Sequence, residues 1–167
     1  YVEKNQQFFY IEKNARITSE DFTIKSKNFT LKGQSHLIAS NPVDYETKGL
    51  KGIADKGMEM FLKKNMMMFK NTHGKYSRDK KNFDYATDVL WVFDETKSLV
   101  MEKNSSMREK HSYLKSDWIT MQFDKDFKKV VESAAQKNSY LYIEDPEKQQ
   151  IREVKAEHIG SIYDEQG

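Results

Sequence analysis

Ser116-Asp117-Trp118-Ile119-Thr120-Met121-Gln122-Phe123-Asp124 repeats, in altered residues, the order of Thr87-Asp88-Val89-Leu90-Trp91-Val92-Phe93-Asp94. Each opens on a small residue and an acid, runs through an apolar strand pattern and closes on an aromatic residue and Asp. A lysine-bearing turn and a second apolar run follow, Ser98-Leu99-Val100-Met101 in one copy and Lys129-Val130-Val131-Glu132 in the other. Ala54-Asp55-Lys56-Gly57-Met58 and Ala156-Glu157-His158-Ile159-Gly160-Ser161-Ile162-Tyr163-Asp164 begin in the same way. A hairpin cannot bury its own apolar face, so recurrence at this spacing predicts stacked antiparallel strands.

The surrounding segments agree. Phe22 and Ile24 alternate with Thr23 and Lys25, the period of a half-buried strand. Met58, Met60 and Leu62 share one face of the next such run. A Lys64-Asn65 turn then leads into Met66-Met67-Met68-Phe69, which predicts a hairpin. The run Asp126 to Gln136 could form a short helix, but Val130 and Val131 are β-branched and the apolar spacing is poor, so a strand is expected.

With 167 residues, the chain is long enough to bury roughly 70% of its unfolded surface. Two prolines, seven glycines and no low-complexity run leave no linker, so residues 1–167 read as one domain. Charged residues reach 32%, and a net charge of +2 is too weak a field to imply a nucleic-acid partner. The absence of cysteine excludes disulfides and thiolate metal sites. His36, His73, His111 and His158 lack the spacing of a zinc site, so no metal and no cofactor is expected. Neither a nucleophile elbow, a Walker loop nor a dinucleotide-binding glycine turn is present, which argues against an enzyme.

The units at Thr87 to Asn104 and Ser116 to Asn138 resemble the repeat of the OstA-like family of lipopolysaccharide transport proteins. The segment from Leu37 through Asn41-Pro42-Val43 to Gly57-Met58-Glu59-Met60 is similar to the final portion of that family's inner-membrane-anchored member, LptC. The chain thus reads as an LptC-like stretch over about residues 20–76, followed by LptA-like repeats over 84–164. The lysines of Lys103-Asn104 and Lys137-Asn138 depart from the family pattern, which often has Gly-Asn there.

The resemblance implies an open β-jellyroll that binds lipopolysaccharide acyl chains in a hydrophobic groove and passes them toward the outer membrane of a Gram-negative cell. It places the protein in the periplasm, and a chain that begins without Met is read as having lost a signal or inner-membrane anchor. Other jellyroll transport components are expected to pair along the edge strand left by the unfinished copy at Ala156 to Asp164. An inner-membrane transporter complex is a further partner consistent with the resemblance. The expected groove lining is Phe22, Ile24, Leu50, Met58, Met60, Leu62, Met66, Met68, Trp91, Phe93, Ile119, Met121 and Phe123.

Each of these residues has a plainer role as strand core, and the methionines fill gaps in cores as readily as they adapt to acyl chains. Trp91 and Trp118 suit either a groove mouth or a buried site. Lys63, Lys64, Arg78, Lys80 and Lys81 suit headgroup phosphates, although charged turns are more often simply solvated. The competing reading is a structural β-repeat module that binds protein through its sheet edges and carries no lipid.

Overall fold

The computed structural model describes residues 8–78 and 81–162. They form twelve strands in one antiparallel sheet, an all-β, jellyroll-like fold. Two long strands, β1 (Phe8–Thr18) and β2 (Phe22–Lys32), precede four short ones, β3 (His36–Ala39), β4 (Val43–Thr47), β5 (Leu50–Ala54) and β6 (Met58–Phe61). A 3-10 turn (Leu62–Lys64) leads into the long strands β7 (Met66–Arg78), β8 (Lys81–Phe93), β9 (Ser98–Glu109), β10 (Ser112–Phe123), β11 (Val130–Asp145) and β12 (Gln150–Ile162). The run that begins at Asp126 is therefore a turn as far as Lys129 and a strand only from Val130.

Two long strands each serve two partners. β2 pairs with β4 through its first half and with β3 through its second, while β7 pairs with β6 and then with β5. Since β3 pairs with β6 and β4 with β5, these six strands close a circuit. Ile24, Phe29, Val43, Leu50, Met58 and Phe69 fill its interior at no more than 1% exposure. Strands β8 to β12 then extend from β7 as a meander and end on β12.

The long strands cross between two facing layers, and the crossing points line up. Ser26 pairs with Val43, Val43 with Ala54, Ala54 with Thr72 and Thr72 with Thr87. Thr87 Oγ1 meets Ser105 Oγ at 2.9 Å, Ser105 pairs with Ser116, and Ser116 Oγ meets Ser139 Oγ at 3.1 Å. The small first residue of each repeat therefore lies on one crease. Large side chains would force the bending strands apart there, and the hydroxyls satisfy carbonyls that the bend leaves unpaired.

The acid of each repeat secures the same bend from outside. Asn71, Asn104 and Asn138 donate through Nδ2 to Asp55, Asp88 and Asp117 at 3.4, 2.9 and 2.7 Å. Lys103, Asn104, Lys137 and Asn138 all have positive φ, between 48° and 65°, so each Lys-Asn pair is a left-handed bulge. The last copy puts Ala156 opposite Ser139, at the end of the row. Its Tyr163 and Asp164 lie outside the described residues.

Facing layers touch through rings. Tyr45 stacks on Phe69 with centroids 3.9 Å apart, and Tyr76 meets Phe123 at 5.8 Å. Gly57, at φ 85°, turns the chain where any Cβ would stand 2.0 Å from the Ala39 carbonyl oxygen, so the Gly-Met order is a steric requirement.

Candidate functional site

Beyond β10 the inward side chains shrink. Met121 pairs with Ser133, which pairs with Ser161, and Ile119 pairs with Ala135, which pairs with Ile159. In the facing layer large apolar residues continue, with Met107 opposite Leu114 and Leu114 opposite Leu141. Ser133, Ala135 and Ser161, set among Ile119, Met121 and Ile159 on one wall, leave an open cleft of about 330 Å³ between the layers. Phe83, Met107, Leu114, Ile119, Met121 and Leu141 form its apolar lining, with Lys81, Glu109, Ser112 and Ser161 among its polar residues. Its size falls at the lower end of small-molecule sites, about 300 to 1,000 Å³.

Apart from the groove, a cluster gathers side chains from several turns and strand ends. The loop between β10 and β11 is folded by Asp124, whose Oδ1 accepts from the Lys128 amide at 2.6 Å. It carries Phe127, which is 2% exposed and sits at φ 58°. The Phe127 ring stacks on Phe123 at 4.8 Å, and Arg78 Nη1 donates to the Phe127 carbonyl at 2.7 Å. Lys48 and Lys97 hold their ammonium groups 5.7 and 5.9 Å from the ring centroid.

Lys48 also joins two hairpin turns, 2.9 Å from Asp21 and 3.1 Å from Asp94, and Lys97 reaches Asp94 at 3.1 Å. Desolvation alone would push Lys48 down, but hydrogen bonds to Asp21 and Asp94 outweigh it and hold the amine above its ordinary value. For Asp94, desolvation pushes upward, and the bonds from Lys48 and Lys97 prevail to hold the carboxyl below its ordinary value.

Of the residues expected to line a groove, Ile119 and Met121 do so, whereas the Phe123 ring stacks on Phe127 and lies outside the lining. Ile24, Leu50 and Met58 are buried in the closed core at 0 to 1% exposure. Phe22, Met60, Leu62 and Met66 meet around a separate cleft of about 100 Å³ that Lys48 and Asp94 also border.

Several placements correct the sequence reading. Leu62 does not share a strand face with Met58 and Met60, because the 3-10 turn removes it from β6 and leaves it 44% exposed. Within β7, Met67 takes the inward position, so Met66 and Met68 alternate to the other face. Leu90 and Val92 are the inward residues of β8, which turns Trp91 and Phe93 outward. Those two rings stack on each other at 5.9 Å. Trp118 is 36% exposed and pairs with Glu102 and Gln136, so it is neither buried nor in the groove.

Among the lysines and arginine singled out at turns, Lys81 borders the groove and Arg78 is committed to the loop carbonyl. Lys63 and Lys64 are exposed on the 3-10 turn, and Lys80 lies outside the described residues. Sequence reasoning missed Phe83, Met107, Leu114, Leu141 and Ile159 as lining. The available signal was Ser133, Ala135 and Ser161 taking inward positions where earlier strands have Met, Phe or Leu. Among the described residues, no group of three or more His, Cys, Asp or Glu side chains is placed to hold a metal ion. No family model matches the chain, and no curated protein matches it.

Proposed function

We propose that this protein is a lipid-carrying module whose groove between β8 and β12 takes up acyl chains of lipopolysaccharide or a related glycolipid and passes them on toward an outer membrane. The observation that carries the reading is the apolar cleft of about 330 Å³, left open by Ser133, Ala135 and Ser161 opposite Met107, Leu114 and Leu141. Evolving a filled core there would need only larger side chains at those positions. Acyl burial is favourable by about 0.8 kcal/mol per methylene and has no directional demand, which suits cargo that must slide. Lys81, bordering the groove, supplies a cation for a headgroup phosphate.

Transfer calls for a neighbour, and β12 is a free sheet edge among the described strands, with Ile151 63% and Val154 44% exposed. Pairing there with another jellyroll component would extend both layers and the groove between them. The periplasm is the compartment this reading assigns, and an inner-membrane transporter complex is the source of cargo it envisages. No catalytic step belongs to it.

The test is mass spectrometry of lipid extracted from the purified protein, combined with photo-crosslinking from Met121 inside the groove and from Met68 outside it. The expected result is an acylated glycolipid crosslinked from Met121 and not from Met68. Absence of extracted lipid and of crosslinks at both positions would favour a protein-binding β-repeat module, a reading that the fully packed half around Leu50 and Phe69 supports.

A further inference from the structure

Strands β7 and β8 carry two different outer faces. On one side of the crease their outward positions include His73, Lys75 and Ser77 of β7 and Asn82 and Asp84 of β8, all exposed, as suits a sheet face that meets water. On the other side they are Met66, Met68 and Lys70 of β7 and Val89, Trp91 and Phe93 of β8. Contact with water gives the same two strands no reason to change from polar to apolar as they pass the crease.

Register gathers the apolar residues into one patch. Phe61 pairs with Met66 and Met66 with Phe93, while Met68 pairs with Trp91 and Trp91 with Val100. The Trp91 and Phe93 rings stack, and His36 stacks on Phe61 with centroids 4.5 Å apart. Directly after Phe61 the 3-10 turn presents Leu62, 44% exposed, followed by Lys63 and Lys64.

Charge at the rim indicates what covers this patch. Of the acids in β6 and in the turn after β8, Glu59 is held by His36 and Lys70, and Asp94 by Lys48 and Lys97. That leaves Glu95 against Lys32, Lys63 and Lys64, all exposed and, among the described residues, without an ion pair. Lys32 pairs with His36 and His36 with Phe61, so the three lysines share the edge where the patch ends. Free cations along the rim of a surface of rings and methionine complement a bilayer with anionic headgroups. Indole favours the membrane–water interface, and lysine stems lie along apolar surface while their ammonium groups reach phosphate.

We infer that the outer face of β6 to β8 docks on an anionic lipid bilayer, with Leu62, Trp91 and Phe93 toward the acyl boundary and Lys32, Lys63 and Lys64 on headgroup phosphates. The inference stands apart from the carrier reading, because the patch lies on the opposite side of the sheet from the groove. A single glycolipid seated in the groove does not reach Met68, whereas a bilayer covers it. Each lysine held near such a surface strengthens binding roughly fivefold, about 1 kcal/mol, and salt weakens the attraction by screening it.

The experiment mixes the intact protein with vesicles of phosphatidylcholine alone or of phosphatidylcholine and phosphatidylglycerol, and separates bound protein by flotation. The chain has two tryptophans, so Trp118→Phe leaves Trp91 as the sole reporter of the patch. The expected result is much tighter binding to the mixed vesicles, with a blue shift of Trp91 emission. Replacing both exposed lysines of the turn, Lys63→Gln with Lys64→Gln, should weaken that binding roughly thirtyfold. Ser133→Leu with Ser161→Leu, which fills the groove, should bind vesicles as wild type does. Absence of binding, equal binding to both kinds of vesicle, or bound protein with unshifted Trp91 emission overturns the inference. Loss of binding in the filled variant overturns it too and credits the groove with the lipid. A dimer in solution that Met68→Glu dissolves gives the face to a second copy, again overturning the inference. A wild-type groove that takes up no fatty acid removes the carrier reading and leaves the docking result unchanged.

Discussion

Tyr45 and Tyr85, 40 residues apart in the chain, share a hydrogen bond of 2.5 Å between their hydroxyls in the closed half of the molecule. Register explains the meeting: Tyr45 pairs with Gly52, Gly52 with Gly74, and Gly74 with Tyr85. The two rings reach toward each other over a floor of two glycines, where a Cβ at Gly52 would stand 2.7 Å from the Tyr85 hydroxyl oxygen. Thr72 Oγ1 completes the set, 2.6 Å from Tyr45 and donating to the Ile53 carbonyl.

This arrangement predicts a graded response to substitution. At Gly74 a Cβ would be 2.3 Å from the Lys51 carbonyl oxygen, backbone that cannot yield without breaking the β5–β7 pairing. Gly74→Ala should destabilise by about 1 to 3 kcal/mol, the cost of overpacking. Tyr85→Phe, which leaves Tyr45 bonded to Thr72, should cost about 1 kcal/mol. Urea unfolding followed by circular dichroism measures both, and a smaller loss from Gly74→Ala than from Tyr85→Phe would contradict the steric account.

The same pair predicts alkaline sensitivity. Burial pushes the Tyr45 hydroxyl up to about 12, against hydrogen bonds shared with Thr72 and Tyr85 that lower it, and burial followed by Tyr45 itself pushes Tyr85 up as well. Folded pKa values above the unfolded value of about 10 mean the native state holds protons that the unfolded state releases. Stability is therefore intact below pH 10 and falls between pH 10 and about 12, by about 1.4 kcal/mol per pH unit for each tyrosine kept protonated. A Tyr45→Phe, Tyr85→Phe double variant should show a shallower decline over that range, and an identical slope would remove the tyrosines as its cause.

Much of this fold was legible because its strands alternate. Ile119, Met121 and Phe123 all face inward, as their spacing says. Phase was harder to read where both faces are apolar, as in Leu90-Trp91-Val92-Phe93, since a shift of one residue exchanges the two faces. The bulges add such shifts at the crease. Inward positions step by three from Thr87 to Leu90 and from Ser116 to Ile119, which exchanges the faces, and by four from Met101 to Ser105 and from Ala135 to Ser139, which does not. The Lys-Asn pairs that look like departures from the repeat are those bulges. The groove stayed hidden for a different reason, because it depends on what is missing at Ser133 and Ser161, and absence of bulk carries no hydrophobic signal.

Bulge geometry gives the next prediction. Asn138 has φ 53° and donates to Asp117, and Asn104 has φ 48° and donates to Asp88. A β-branched residue there loses the bond and takes on a left-handed cost of about 1 to 2 kcal/mol. Asn138→Val should therefore lower stability by about that amount, whereas Asn138→Gly should stay within about 0.5 kcal/mol of wild type. The comparison is made by chemical denaturation at one pH, and equal losses would mean that the side-chain bond, not the backbone, governs the bend.

Asp94 should confer acid sensitivity on the cluster it forms with Lys48, Lys97 and Asp21. Its carboxyl is held below the ordinary value of 3.8, so its contribution is present above that pH and is lost as pH falls through the lower, folded value. Because the side chain is 32% exposed, solvent screening limits the effect, and Asp94→Asn should cost no more than about 1 kcal/mol near neutrality. Wild type and variant should converge in stability below pH 3.8. A gap that persists in acid would show that something other than charge had been removed.

Filling the groove separates a site from a packing defect. Ser133 Oγ and Ser161 Oγ meet at 2.8 Å on the small-residue wall, facing the space that Met107 and Leu141 leave open. Replacing both with leucine removes a donor and its acceptor together, so neither hydroxyl of this exposed pair is left without the other. The new methylenes enter apolar space at about 0.8 kcal/mol each, which predicts a double variant at least as stable as wild type. That variant should copurify with no lipid and bind no fatty acid, while Met68→Leu on the outer face of β7 should bind as wild type does. If the filled protein still carries acyl chains, lipid enters elsewhere and the cleft is only loose packing. Gained stability with lost binding would instead mean that Ser133 and Ser161 are kept small for cargo at the expense of the fold.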